Sequence, residues 1–190
     1  MKERTKKIFA IAFLLMTVVG LSFSVVFFGF STSDKVKYSG MTFKADGVNK
    51  LWIAKIKNRE AGFSYLPADT SSIIVEGAPF ELLKGKLEID TTYDLNGTNA
   101  GFIALAQHQM ALTLGAYEVY VRNGFTAENK YKFPVIDCSS ATSLIPVVYF
   151  VQSNVSKISV RDNCVIAEAA AGQDFIRVKD RIIYGILEVI

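Results

Sequence analysis

Hydrophobic and polar positions divide the chain into regions of different period. From Ile8 to Phe30 no charged residue occurs, and only Thr17, Ser22 and Ser24, with Gly20 and Gly29, interrupt the apolar run. At about 1.5 Å of rise per residue this run makes a helix of roughly 34 Å, enough to cross a hydrocarbon core of about 30 Å. A cleaved secretory signal would have a shorter apolar region ending at small residues. This run instead leaves through Phe27-Phe28-Gly29-Phe30-Ser31. The pattern predicts an uncleaved transmembrane anchor over residues 8–30.

Beyond a short linker, 31–35, the pattern turns to β. Candidate strands are Lys37–Lys44, Leu51–Lys57, Phe63–Leu66, Ser72–Val75 and Lys86–Tyr93, the first two separated by the turn-rich Ala45-Asp46-Gly47-Val48-Asn49 and the second and third by a turn over Asn58-Arg59-Glu60-Ala61-Gly62. The period then changes. From Ala100 to Ala116 the stripe Ile103, Ala106, Met110, Leu114 and Tyr117 predicts a helix, and Phe102, Leu105 and Leu112 widen its apolar arc as expected for packing into the body of a domain. Asn99 is placed to cap its start, and Gly115 lies near its end. Strand-like runs follow at Tyr117–Val121, Lys132–Ile136, Ile145–Val151, Lys157–Val160 and Cys164–Ala167. A closing helix is expected from about Asp174 to Ile190. There Phe175, Val178, Ile182, Gly185 and Val189 form the packed stripe, Gly185 permits close approach, and Arg177, Asp180, Arg181, Tyr184 and Glu188 face the other way. Two amphipathic helices among about eight strands imply an α+β (mixed α/β) domain over residues 36–190, with helices laid on a sheet.

Charge sets the orientation. Lys2, Arg4, Lys6 and Lys7 precede the apolar run against one acid, Glu3, so the positive-inside rule keeps residues 1–7 in the cytoplasm and exports the domain. The chain has 21 basic and 18 acidic residues; removing the stub's four and one leaves 17 of each. A neutral domain without a basic run has no electrostatic footprint for nucleic acid. Export gives meaning to two other features. The cysteines Cys138 and Cys164 form an even pair, which an oxidising compartment favours as a disulfide; closing a loop of about 27 residues contributes roughly 3–4 kcal/mol in the chain-entropy model. Asn96-Gly97-Thr98 and Asn154-Val155-Ser156 are N-glycosylation sequons, making Asn96 and Asn154 candidate acceptors. One histidine and two cysteines at these spacings form no metal site.

Catalytic candidates are few. His108, the only histidine, could join Ser139 or Ser140 and Asp137 or Asp94 in a triad on paper, but no Gly-x-Ser-x-Gly elbow exists. Alternation puts Glu88, Asp90, Thr92 and Asp94 on one strand face, an acidic edge suited to paired-carboxylate chemistry or to plain solvation. Gly97, Gly101 and Gly115 are too scattered for a phosphate loop, and no cofactor is implied. Asp180 and Arg181 are adjacent, so one is expected to anchor the closing helix while the other stays wet.

Ile103-Ala104-Leu105-Ala106, Asp137-Cys138, Ala141-Thr142, Pro146-Val147-Val148-Tyr149, Asn163-Cys164 and Asp180-Arg181-Ile182-Ile183-Tyr184 occur in an order that resembles a family of uncharacterised archaeal membrane-anchored proteins. Members of that family often carry a further cysteine pair before Cys138, which this chain lacks. The resemblance implies a membrane location and a covalent staple, and no reaction. The expected function is therefore a non-catalytic binding or structural role in the cell envelope, with another protein, a glycan or a surface layer as partner. The alternative is an envelope hydrolase or transferase built on His108 or on the Asp90/Asp94 face.

Overall fold

The structure, a computed structural model, describes residues 34–190. The stub at 1–7, the anchor expected at 8–30 and most of the linker lie outside the described residues, among which no helix is long and apolar enough to cross a membrane. The domain opens with an antiparallel meander of β1 (Lys35–Tyr38), β2 (Met41–Asp46), β3 (Leu51–Ile56) and β4 (Arg59–Phe63). Two of its turns are two residues long. Ser39 and Gly40, at φ 46° and 79°, join β1 to β2, and Lys57 and Asn58, at φ 47° and 66°, join β3 to β4. Left-handed conformation at both central residues matches the twist of a hairpin. These turns correct two expectations: Lys37–Lys44 is a hairpin, not one strand, and the strand expected at Phe63–Leu66 ends at Phe63.

The second sheet contains β5 (Ile74–Val75), β6 (Glu88–Tyr93), β7 (Tyr120–Asn123), β8 (Val147–Gln152), β9 (Lys157–Arg161) and β10 (Cys164–Ala169), in the order β5-β9-β10-β8-β6-β7. β10, β8, β6 and β7 are parallel, and β9 runs antiparallel to β10. Parallel strands need cover on both faces. Val148, Phe150, Val165 and Ala167 face the main core, whereas Val147, Cys164 and Ile166 join Ile136 in a smaller cluster on the other face.

Helices α2 (Ala100–Gly115) and α3 (Gly172–Ile186) supply the main-core cover, with the short α1 (Pro79–Leu83) beside α3. The meander closes over their far side. Phe63 stacks on Tyr184 at 4.2 Å, Phe43 meets Tyr184 edge-on at 6.1 Å, and the Tyr117 hydroxyl donates to the Ile56 carbonyl at 3.1 Å. The layers are sheet, helices, sheet, an α+β fold.

This second layer changes the closing helix. Its expected stripe is buried, but Asp180 and Tyr184, expected to face away, are also fully buried because the meander covers them. Asp180 accepts the Ser64 and Tyr65 amides at 2.9 Å each and pairs with Lys179, which is itself fully buried. Burial pushes the Asp180 carboxyl up, and Lys179 and the two amides hold it down. Arg181 is half-buried, its guanidinium lowered by burial. Gly185 admits the ring of Phe80 from α1, where a Cβ would collide. The helix stops at Ile186 instead of running to Ile190: Glu188 is left-handed at φ 63°, its amide donates to the Gly185 carbonyl, and that of Val189 donates to the Tyr184 carbonyl. This is a Schellman ending.

Three further expectations are corrected. Lys132–Ile136 is not a strand: only Val135 bridges, to Phe125, and Pro134 has no N–H to give a ladder. In α2, Ile103, Ala106, Met110 and Leu114 are buried as expected, but Phe102, Leu105 and Leu112 are exposed. Asn99 occupies the N-cap position of α2, yet its side chain donates to Gln152 and makes no cap bond.

Candidate functional site

The Cys138–Cys164 disulfide is formed, with its Cα atoms 5.3 Å apart. It ties a 3-10 turn, Cys138–Ser140, to the first residue of β10 and so pins the loop that covers the outer face of the large sheet. Cys138 therefore lies in that turn, two residues beyond the strand-like run expected at Lys132–Ile136.

The same turn settles the paper triad. Asp137 Oδ1 accepts the Ser139 and Ser140 amides at 2.8 and 3.2 Å and the Ser139 hydroxyl at 2.5 Å. These bonds, Ser139 first, hold the Asp137 carboxyl below its ordinary value. His108 is exposed on α2, which packs against the opposite face of the sheet. The nucleophile and base candidates thus lie on opposite sides of a β-sheet. The acidic edge separates as well. Asp90, 2 % exposed, receives a two-pronged guanidinium: Arg122 Nε donates to Oδ1 at 2.8 Å and Nη2 to Oδ2 at 2.6 Å. Arg122 also stands 3.5 Å from Glu88, so the two carboxylates share one cation. Asp90 in turn raises Arg122 above its ordinary value.

Asp94 has a different setting. It follows β6 at the carboxyl edge of the parallel strands. From β6 the chain crosses through α2 to β7 on one side, then returns to β8 on the other. Neighbouring strands whose onward connections diverge leave a crevice at their carboxyl ends, the general ligand position of parallel α/β sheets. Here that crevice is a cleft of about 210 Å³ lined by Asp94, Thr98, Asn99, Tyr149 and Gln152. A wider opening of about 480 Å³, lined by Asp94, Asn96, Phe125, Asn129 and Tyr131, adjoins it across Asp94.

Local chemistry fixes the walls. Asp94 Oδ1 accepts the Asn96 amide at 2.9 Å, shaping the loop into α2. Asn99 donates to Gln152, whose own amide donates to the Ser153 and Ala170 carbonyls at 3.1 and 3.0 Å. Asn129 organises the opposite loop, accepting the Tyr131 and Phe133 amides at 3.1 Å each. Tyr131 is about half exposed and packs on Phe125, which meets Tyr93 edge-on at 5.1 Å. Both candidate glycosylation asparagines are exposed near this edge: Asn96 on the rim of the wider opening, and Asn154 two residues beyond Gln152.

Sequence reasoning singled out Asp94 but missed Thr98, Tyr149, Gln152 and Tyr131. The available signal was the polar turn Asp94–Asn99 between a buried strand and a helix, which marks the start of a βαβ unit. Among the described residues no group of three or more histidine, cysteine or carboxylate side chains is arranged to hold a metal ion. No protein-family model, curated protein or solved structure matches the chain.

Proposed function

We propose that the domain is a non-catalytic, glycan-binding module of the cell envelope, held at the membrane by residues 8–30 with the short N-terminal stub in the cytoplasm. One observation carries the reading: the histidine, the Ser139/Ser140 pair and the Asp90 carboxylate lie on separate faces, whereas the switch-point cleft gathers hydroxyl, carboxamide and aromatic groups, with Asp94 in both of its parts and Glu128 and Lys130 on the wider one. A hydroxyl (Thr98), two carboxamides (Asn99, Gln152) and one carboxylate (Asp94) beside Tyr149 and Tyr131 suit the hydroxyls and apolar faces of a sugar ring. A cleft of a few hundred Å³ takes one or two such rings and is too small for a protein surface. The neutral charge balance of residues 8–190 and the uncharged run before the domain agree with an exported, anchored module.

Thermal unfolding of the full chain in mild detergent, with and without envelope oligosaccharides, tests this. A bound ligand at 100 times its Kd stabilises by about 2.7 kcal/mol. The expected result is a raised midpoint with at least one oligosaccharide, lost in Gln152→Ala and Asp94→Asn. No shift, or a shift unchanged in both variants, contradicts the proposal.

A further inference from the structure

The solvent face of α2 is unlike the rest of the surface. From Leu95 to Tyr117 the chain carries no charged side chain, and α2 is apolar around most of its circumference. Such a helix is normally buried on all sides, yet one side of α2 is open. On a wheel of 100° per residue that open side consists of Gly101, Ala104, Leu105, His108, Ala111, Leu112 and Gly115, all exposed or half-exposed, Leu112 at 64 %.

Two features show what this face is shaped for. The first is the pair of glycines. Neither has a left-handed φ, and a Cβ on either would meet open space, so nothing among the described residues requires them. A glycine in a helix costs about 1 kcal/mol relative to alanine, a cost offset where a second backbone must come close. The second is the arrangement about His108, which is symmetric: glycines at −7 and +7, alanine then leucine at −4 and −3, alanine then leucine at +3 and +4. Laid antiparallel on a copy of itself about a two-fold axis at His108, the helix sets Leu105 against Ala111, Leu112 against Ala104, and Gly101 against Gly115. Each large side chain meets a small one, as an isologous interface requires.

We propose that the exposed face of α2 is a homodimer interface in which α2 packs antiparallel on a second copy across His108. Charge favours this occupant over a lipid surface. Membrane-lying helices use Lys and Arg toward the headgroups, and α2 has neither. Antiparallel packing sets the positive end of each helix dipole beside the negative end of the other. The size is also adequate. Apolar grooves flank the helix, one of about 270 Å³ beside Leu51 and Ile53 and one of about 450 Å³ beside Val119 and Tyr120. A helix of about 24 Å with one flanking row on each side, each row about 10 Å wide, offers about 700 Å² per copy, near the roughly 800 Å² of a standard interface.

Cysteine crosslinking of the full chain in membranes tests the geometry, since the two native cysteines are already bonded to each other. His108→Cys is expected to give a disulfide-linked species of twice 21.0 kDa. Gly101→Cys and Gly115→Cys, separated by about 21 Å along the helix, are each expected to stay unlinked alone and to link when co-expressed. Leu112→Asp changes an exposed side chain, leaves the fold intact, and is expected to cut the His108→Cys crosslink at least tenfold. Self-linkage of Gly101→Cys, which indicates parallel packing, overturns the proposal. So does a crosslink indifferent to Leu112→Asp, which assigns association to residues 8–30. Absence of any crosslink gives the face to lipid or to another protein and overturns it as well.

Discussion

Asp180→Ala is the sharpest probe of the three-layer fold, because this carboxylate joins the meander to α3 in the interior. Asp180 and Lys179 are both fully buried, and Asp180 also satisfies the Ser64 and Tyr65 amides just past β4. Removing it strands a buried ammonium and two amide donors together. Breaking a buried pair from one side costs about 3–5 kcal/mol, a large share of the roughly 5–15 kcal/mol that holds a domain folded. Lys179→Met keeps the stem's packing and leaves Asp180 its two amides, so its cost is smaller. Lys179→Met combined with Asp180→Asn removes both charges while an amide oxygen still caps Ser64 and Tyr65, and it recovers stability relative to Asp180→Ala. Urea unfolding of the full chain in mild detergent, followed by the fluorescence of Trp52, the single tryptophan, measures all three. A cost below about 1 kcal/mol for Asp180→Ala, the range of surface substitutions, would refute the buried junction.

Other predictions concern the same helix. Ile182→Ala opens a cavity at a fully buried position and is expected to cost about 2–5 kcal/mol. Arg177→Ala loses a partly exposed pair with Asp174 and a bond to the Asp69 carbonyl, costing about 1 kcal/mol in the same unfolding assay. Gly185→Val drives a side chain into the Phe80 ring and lowers the melting temperature, and Phe80→Ala in the same chain restores part of the loss. Glu188 is held at about 2, below its ordinary 4.5, by Lys57 and then Lys84. A depressed carboxylate contributes stability that is full above about 4.5 and is lost as pH falls toward about 2. Glu188→Gln should flatten the melting-temperature profile across that window, and an unchanged slope would count against the pairing.

The sequence made some of this plain and hid the rest for physical reasons. The stripe Phe175, Val178, Ile182 and Gly185 was legible because a 3.6-residue period reports one buried face. It does not report a second layer, so Asp180 and Tyr184 read as solvent-facing although the meander covers them. In α2 a similarly broad apolar arc suggested packing into the body of the domain, yet among the described residues only one side is packed. The turn expected over residues 58–62 is a two-residue hairpin at Lys57-Asn58, displaced because lysine is an unusual choice for a left-handed turn position, and its glycine-containing counterpart at Ser39-Gly40 sits inside an otherwise continuous β-like run. α1, at five residues, is too short to show a period. The cleft was invisible for a topological reason. β6 and β8 are neighbours with more than fifty residues between them, and no local pattern encodes that adjacency.

Photo-crosslinking in intact cells asks whether the carboxyl-edge cleft holds the proposed envelope glycan. A photoreactive residue in place of Thr98 lines the cleft, and the same residue in place of Val48, 88 % exposed on the β2–β3 turn, is the control. A carbohydrate-containing adduct is expected from position 98 and none from position 48. No adduct at position 98, or the same adduct from both positions, would contradict the proposal.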